Sequence, residues 1–317
     1  MPLAAFPMQA PFPWFGGKRR VAAEVWDRFG PVKNYVEPFF GSGAVLLGRP
    51  TTPGIETVND LDGYVANFFR ALRANPDAVA RAADRPVNEN DLHALHSWLT
   101  NLRGEFTRKL EGDAAFYSAR VAGIWAWGVS CWIGSGFASD SGPWHIVDSR
   151  LIRAKDNAGQ GVHRKLPHLS SAGQGVCSGR RKKLIEWFGA LSKRLERVHV
   201  CCGDWKRVTG PCVTFKHGLT GVFLDPPYGE SRDDDIYSCD STTIYRDVRD
   251  WCLEHGKNHE LRIALCGYSG ETKNLPGWSC YAWKANGGYA NKGHGKTRGK
   301  ANAHRERIWF SPHCLKP

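Results

Sequence analysis

The run GVFLDPPYGES, at Gly221 to Ser231, ends an apolar stretch in Asp225, Pro226, Pro227 and Tyr228. Neither proline can donate a ladder hydrogen bond, and each holds the residue before it in extended geometry. The segment is a short rigid spur, with a carboxylate and an aromatic ring at fixed positions beyond a strand. Open α/β sheets place ligand chemistry at such strand ends. Taken alone, an ordinary strand-to-loop turn fits the same four residues.

Three further constellations bear on the choice. In YVEPFFGSGAVLL (Tyr35 to Leu47), Gly41 and Gly43 lie between an expected strand and an expected helix start, where glycine lets the backbone approach a ligand closely. A third glycine is missing, so this is no dinucleotide fingerprint, and FGGKRR lacks the rest of a phosphate-binding loop. Asp60 ends the next strand candidate, where an acid can accept both hydroxyls of a ribose. A nucleoside-containing ligand without a pyrophosphate fits. PFPWFGGK places Trp14 and Lys18 near the start, and CCGDWKRV offers Asp204 as an acceptor and Trp205 as a flat stacking surface. Singly, these two read as a packed arm and a strand-end turn.

Together, and in this order, the motifs resemble the Dam-type adenine-specific DNA methyltransferases. Those enzymes show W-x-G-G-K, V-E-P-F-x-G-[SA]-G, an N-D acid, G-D-[FW] and D-P-P-Y. Here the motifs stand at Trp14 to Lys18, Val36 to Gly43, Asn59-Asp60, Gly203 to Trp205 and Asp225 to Tyr228. The resemblance implies a Rossmann-like S-adenosylmethionine-dependent methyltransferase sheet with an inserted target-recognition domain. It also implies S-adenosylmethionine as cofactor and double-stranded DNA as partner. By resemblance, Trp14, Lys18, Glu37, Phe39, Gly41, Gly43, Asp60, Asp204, Trp205 and Asp225 form the cofactor site. Asp225 and the Pro226 carbonyl then accept hydrogen bonds from the amine of a flipped adenine, Pro227 stiffens the spur, and Tyr228 stacks on the base.

The elements that must position these residues are α/β at both ends. Strands are expected at Asn34 to Pro38, Ile55 to Val58, near Val198 to Cys202, before Asp225, and from Leu261 to Gly267. Helices are expected over Val21 to Phe29, Gly63 to Ala83 with a break at Pro76, and Lys182 to Leu195; residues 91 to 130 mix helical spacing with many tryptophans. Residues 132 to 181 turn rich in Gly, Ser, His and basic residues, and AGQGV occurs twice there, which reads as two similar turns in one long loop. The expected division is a discontinuous catalytic domain, 11–70 and 182–317, around a target-recognition region, 71–181.

The 317 residues suffice for a full core, and 42% hydrophobic with 23% charged residues is a globular composition. Net charge is +12, and it is concentrated. Arg153 to Lys183 holds eight Lys/Arg and one acid, and Lys284 to Arg307 holds seven and one, so the remainder is near neutral. Such segments suit a polyanion, and Arg164, Lys165, Arg180, Arg181, Lys182 and Lys183 are the expected DNA contacts; a pair of solubilising loops is the alternative. No apolar stretch reaches membrane-spanning length and no signal-peptide pattern opens the sequence, so a cytoplasmic protein is expected. The ten cysteines are expected as free thiols. No C-x-x-C pair exists, and neither His199, Cys201 and Cys202 nor Cys252 and His255 makes a convincing zinc set, so no metal is expected.

Other chemistries remain beside adenine methylation. Asp225 favours adenine, since cytosine-amine enzymes usually begin this motif with Ser and protein-glutamine enzymes with Asn, yet it leaves cytosine N4 open. Pro211-Cys212 lacks the companion motifs of cytosine-carbon methylation. An RNA adenine methyltransferase would usually carry an added RNA-binding domain. A catalytically inactive DNA-binding relative tends to lose the acid or the ring of D-P-P-Y, and both are present.

Overall fold

The computed structural model describes residues 8–14, 17–50, 54–132, 136–139, 144–147, 150–153, 178–227, 243–270, 275–284 and 304–316. Tyr228, Arg164, Lys165 and the two AGQGV turns lie outside them.

Five short segments form the parallel part of the sheet: β1 (Asn34–Glu37), β2 (Ile55–Asp60), β5 (His199–Cys202), β6 (Thr220–Leu224) and β7 (Leu261–Tyr268). Every residue of β1 and β6 is buried. That matches continuous apolar runs, because a parallel strand is covered on both faces. The spatial order is β5-β2-β1-β6-β7-β9-β8, with β9 (Glu306–Phe310) antiparallel to both β7 and β8 (Ser279–Ala282). Chain order reverses between β1 and β6, which pair directly, Val36 opposite Val222. The crevice beyond the carboxyl ends of these two strands is therefore the topological switch point, where open α/β sheets bind ligands.

Helix α1 (Ala22–Phe29) precedes β1, and α2 (Ala44–Leu47) is a single turn after the glycine loop. Between β2 and β5 the chain builds α3 (Gly63–Ala74), α4 (Pro76–Ala83), α5 (Glu89–Gly112), α6 (Ala119–Cys131), the hairpin β3 (Trp144–Val147) with β4 (Arg150–Arg153), and α7 (Ser178–Leu195). The expected break at Pro76 falls between α3 and α4, where Asn75 caps α4 by accepting from the Ala78 N–H at 3.1 Å. Proline at the first helical position loses only a donor that no helix residue could satisfy. Helix α8 (Ile244–His255) precedes β7.

Leu72, Val79, Leu99, Phe106, Val121 and Trp125 from these helices share one buried cluster with Val36, Val58, Val222 and Ile263 of the sheet. The division expected between residues 70 and 71 runs through α3. A smaller cluster of Leu92, Trp127, Cys131 and Trp132 lies beside it. Below the glycine loop sits a buried ionic triad. Glu56 of β2 accepts from Arg49 at 3.0 Å and from Arg194 of α7 at 2.7 and 2.8 Å, with all three side chains 2–3% exposed. Arg49 also donates to the Val32 carbonyl and Arg194 to that of Leu46, so the two guanidiniums tie α7 to the segments flanking β1.

The described cysteines are free thiols. Among the described residues no group of three His, Cys, Asp or Glu side chains is placed to hold a metal ion, and no helix is long and apolar enough to cross a membrane.

Candidate active site

The glycine loop after β1 takes a shape that its sequence demands. Gly41 has φ of 50° and Gly43 of 70°, the left-handed region that side chains with a Cβ avoid. A Cβ on Gly41 would collide with the indole of Trp14, and one on Gly43 would lie 2.6 Å from the Phe40 ring. Trp14 is thus the wall against which the loop is moulded. The helix start expected after the loop is a single turn of four residues, α2.

Asp60 closes this loop from the neighbouring strand. One carboxylate oxygen accepts from the Gly41 N–H at 2.8 Å and the other from the Asp62 N–H at 2.9 Å. Burial pushes its pKa up to about 7, with the Asp62 charge adding to the rise and backbone N–H groups opposing it. Next to it, the Asn59 amide donates to the Pro38 carbonyl at 3.1 Å and the Gly203 carbonyl at 2.9 Å. One side chain on β2 therefore fastens the strand ends of β1 and β5. Its Oδ1 is buried and has no hydrogen-bond partner among the described residues.

Glu37, expected in the site, lies beneath it. It is 2% exposed and accepts from the Tyr35 hydroxyl at 2.8 Å and the Leu46 N–H at 3.3 Å, and burial raises its pKa well above the usual carboxylate range. Its place is that of a brace for the glycine loop. Trp205, expected as an open stacking surface, is only 4% exposed. Its ring lies 6.2 Å from that of the half-buried Phe39 and 6.4 Å, edge-on, from Trp251 of α8. The available ring at this end of the crevice is Phe39, with Trp205 behind it. Asp204 caps the following turn by accepting from the Lys206 N–H at 2.8 Å. Leu61, directly after Asp60, is 46% exposed. Nothing in the sequence singled it out.

At the end of β6, Asp225 meets Lys18. The ammonium lies 2.8 Å from Oδ1, with the lysine side chain 4% exposed and the carboxylate 18%. Burial alone would lower the Lys18 pKa. The charge of Asp225, and lesser contributions from Cys266 and Glu306, instead carry it well above its ordinary value. Trp283 lies 5.8 Å from the ammonium, ring toward charge. The sequence suggested Lys18 as a cofactor contact, and the structure brings it to the spur. Of the basic cluster, Arg181, Lys182 and Lys183 are exposed in the first turns of α7, with Arg181 2.7 Å from Asp84.

The family model for D12 class N6 adenine-specific DNA methyltransferases matches residues 14–124. Over this stretch, about a third of its length, the chain is similar to that family. The matched stretch carries Trp14 to Lys18, the glycine loop and Asn59-Asp60, three of the five motifs read from the sequence. No curated protein matches the chain. The match supports S-adenosylmethionine-dependent transfer of a methyl group to the N6 amine of adenine in DNA. The seven-stranded mixed sheet, with the crevice at the β1/β6 switch point, suits that chemistry.

Proposed function

We propose that the crevice between β1 and β6 is the methyl-transfer site, with Asp225, Pro226, Pro227 and Tyr228 around the target amine and Trp14, Phe39, Gly41, Gly43, Asp60 and Asp204 around S-adenosylmethionine. The observation that carries this reading is the convergence of Asp60, the Gly41 loop, Asp204 and Asp225 at adjacent strand ends. The donor and acceptor set fits the cofactor. The Asp60 oxygens take backbone hydrogen bonds from Gly41, Asp62 and Leu61, which leaves about one of four acceptor positions for a ribose hydroxyl. Gly41 and Gly43 keep the loop bare of side chains, Phe39 offers a ring to an adenine face, and Asp204 an acceptor to its amine. When bound, the cofactor supplies an activated methyl on a sulfonium, and no metal is required.

The adenine N6 lone pair is delocalised into its ring, and in duplex DNA the amine is inside the helix. We infer that the base swings out of the stack, the usual solution for chemistry on a paired base. Asp225 and the Pro226 carbonyl accept its two N–H groups and favour tetrahedral nitrogen, which frees the lone pair. Tyr228 stacks on the base, an interaction worth ~1–3 kcal/mol. Lys18 holds Asp225 from the core side, so the carboxylate is fixed before the base arrives.

Double-stranded DNA is the substrate this reading requires, with action in the cytoplasm where such DNA and the cofactor meet. Region 71–181, with the first turn of α7, supplies the DNA contacts Arg164, Lys165, Arg180, Arg181, Lys182 and Lys183. Four consecutive cations at a helix start oppose the helix dipole, which disfavours positive charge there. A phosphate backbone would offset that cost.

Asp225→Asn keeps shape but loses the charge that reshapes the amine. It should lose most of the single-turnover rate while still binding DNA and cofactor, because interactions made in the transition state affect rate more than affinity. Transfer of labelled methyl to duplex DNA, followed by nucleoside identification, reads this out. Near wild-type rates in Asp225→Asn remove the spur from the active site, and label in N4-methylcytosine reassigns the base.

A further inference from the structure

One buried nucleophilic group beside the spur has no part in these steps. Cys266 lies on β7, the strand paired in parallel with β6, and is 0% exposed. The register sets Leu224 opposite Leu265, so one step further brings Asp225 beside Cys266. The thiol lies within hydrogen-bonding reach of the Asp225 carboxylate, and it shares the electrostatic neighbourhood of Lys18 and of Glu306, 5% exposed on β9. Burial, then the charge of Asp225, pushes the thiol pKa well above its ordinary value. Cys266 is therefore a neutral S–H, a donor rather than a nucleophile.

We propose that Cys266 is a positioning residue for methyl transfer, its thiol and the Lys18 ammonium together fixing the Asp225 carboxylate from within the sheet. This rests on the assignment of Asp225 as the acceptor for the target amine. An ionised carboxylate has about four acceptor positions. One is occupied by the Lys18 ammonium 2.8 Å away, and the neutral thiol, immobilised in the neighbouring strand, is placed to donate to another. Rotation of the carboxylate then breaks two contacts in a buried setting, and the remaining positions keep one direction toward the crevice. A thiol suits this duty because it is a weak donor. It steers the carboxylate without adding a second positive charge, which would oppose the positive charge developing on the amine during transfer.

The test uses full-length Cys266→Ala and Cys266→Ser, with Asp225→Ala as reference. Alanine removes the donor together with the volume of its sulfur, and serine restores a donor in the sulfur's place. Cys266→Ala should lower the single-turnover rate on duplex DNA by about three- to tenfold, the range for losing one ordinary hydrogen bond, because the thiol is a weak donor. Its cofactor affinity by calorimetry should stay within twofold. Cys266→Ser should recover most of the lost rate. In an Asp225→Asn background, Cys266→Ala should add little, because it acts through the acid. Wild-type rates in Cys266→Ala with Asp225→Ala inactive refute the positioning role and leave the active-site assignment standing. Equal losses in Cys266→Ala and Cys266→Ser, with lowered thermal midpoints in both, reduce Cys266 to packing and overturn the proposal. Wild-type transfer by Asp225→Ala refutes the assignment, and the inference with it.

Discussion

Cofactor affinity should depend on pH through Asp60, and the structure fixes the sign. In the free protein burial holds the Asp60 carboxyl at about 7, against an ordinary 3.8. Ribose hydroxyls donate hydrogen bonds, so the bound state favours the charged form and returns the pKa toward its ordinary value. Binding below pH 7 must then expel a proton. Linkage makes affinity fall about tenfold per pH unit between roughly 7 and 5, and level off above roughly 8. The window of about three units bounds the whole effect at roughly a thousandfold. For the free protein the direction is opposite. A raised folded-state pKa contributes stability that is present below the unfolded value and lost as pH rises through about 7. Calorimetric titration of S-adenosylmethionine across pH 5 to 8.5, in buffers of differing ionisation enthalpy, measures slope and proton release together. Asp60→Asn should bind more weakly and show a flattened slope; it also serves as the control for titration of the cofactor's own amine. The same slope in wild type and Asp60→Asn would show that Asp60 does not carry the proton, and the assigned ribose contact would fall.

Four other outcomes are expected. Glu56→Gln leaves the buried Arg49 and Arg194 without their anion and should cost about 3–5 kcal/mol in denaturant unfolding, the range for breaking a buried pair. Lys18→Met strips Asp225 of its cation, so the thermal midpoint and the transfer rate should fall together, while a methyl-transfer rate equal to wild type would remove Lys18 from the site. His96 is pushed down to about 4, mainly by burial and then by His93, and its Nδ1 accepts from the Ala138 N–H at 3.0 Å. The stability it contributes is present above its unfolded value of about 6.5 and lost as pH falls toward 4, and acid unfolding of His96→Gln should lack that part of the profile. Neutralising Arg180, Arg181, Lys182 and Lys183 should flatten the salt dependence of DNA binding by roughly 0.9 in the log–log slope for each phosphate no longer neutralised, and an unchanged slope would make the cluster a solvated face.

Local chemistry was readable from sequence wherever one segment decides it. β2 ends at Asp60, β6 ends just before Asp225, and the helical stretch breaks at Asn75-Pro76, because prolines and strand-end acids act on their own neighbours. The hairpin of β3 and β4 fell inside a stretch read as one loop, although WHIV and RLIR two residues apart carry a hairpin pattern. α7 begins at Ser178, four residues before the basic run suggested. The larger misses are tertiary. Trp205 is buried by Phe39 and Trp251, which come from two other elements, and nothing in GDW announces either. Lys18 with Asp225, and Asp225 with Cys266, are set by strand order, which no window of sequence contains.

The pairing of Lys18 with Asp225 also imposes an order in time. During synthesis at roughly 5–20 residues per second, the acid leaves the ribosome about ten to forty seconds after the lysine. β1 and β2 precede β6 in the chain, so their side of the sheet can assemble while Lys18 still lacks the carboxylate that offsets its burial. An unmatched ammonium resists enclosure. Arrival of β6 beside β1 delivers the counter-charge. A chain cut short before Asp225 would therefore have to leave Lys18 in water or bury it without this counter-charge.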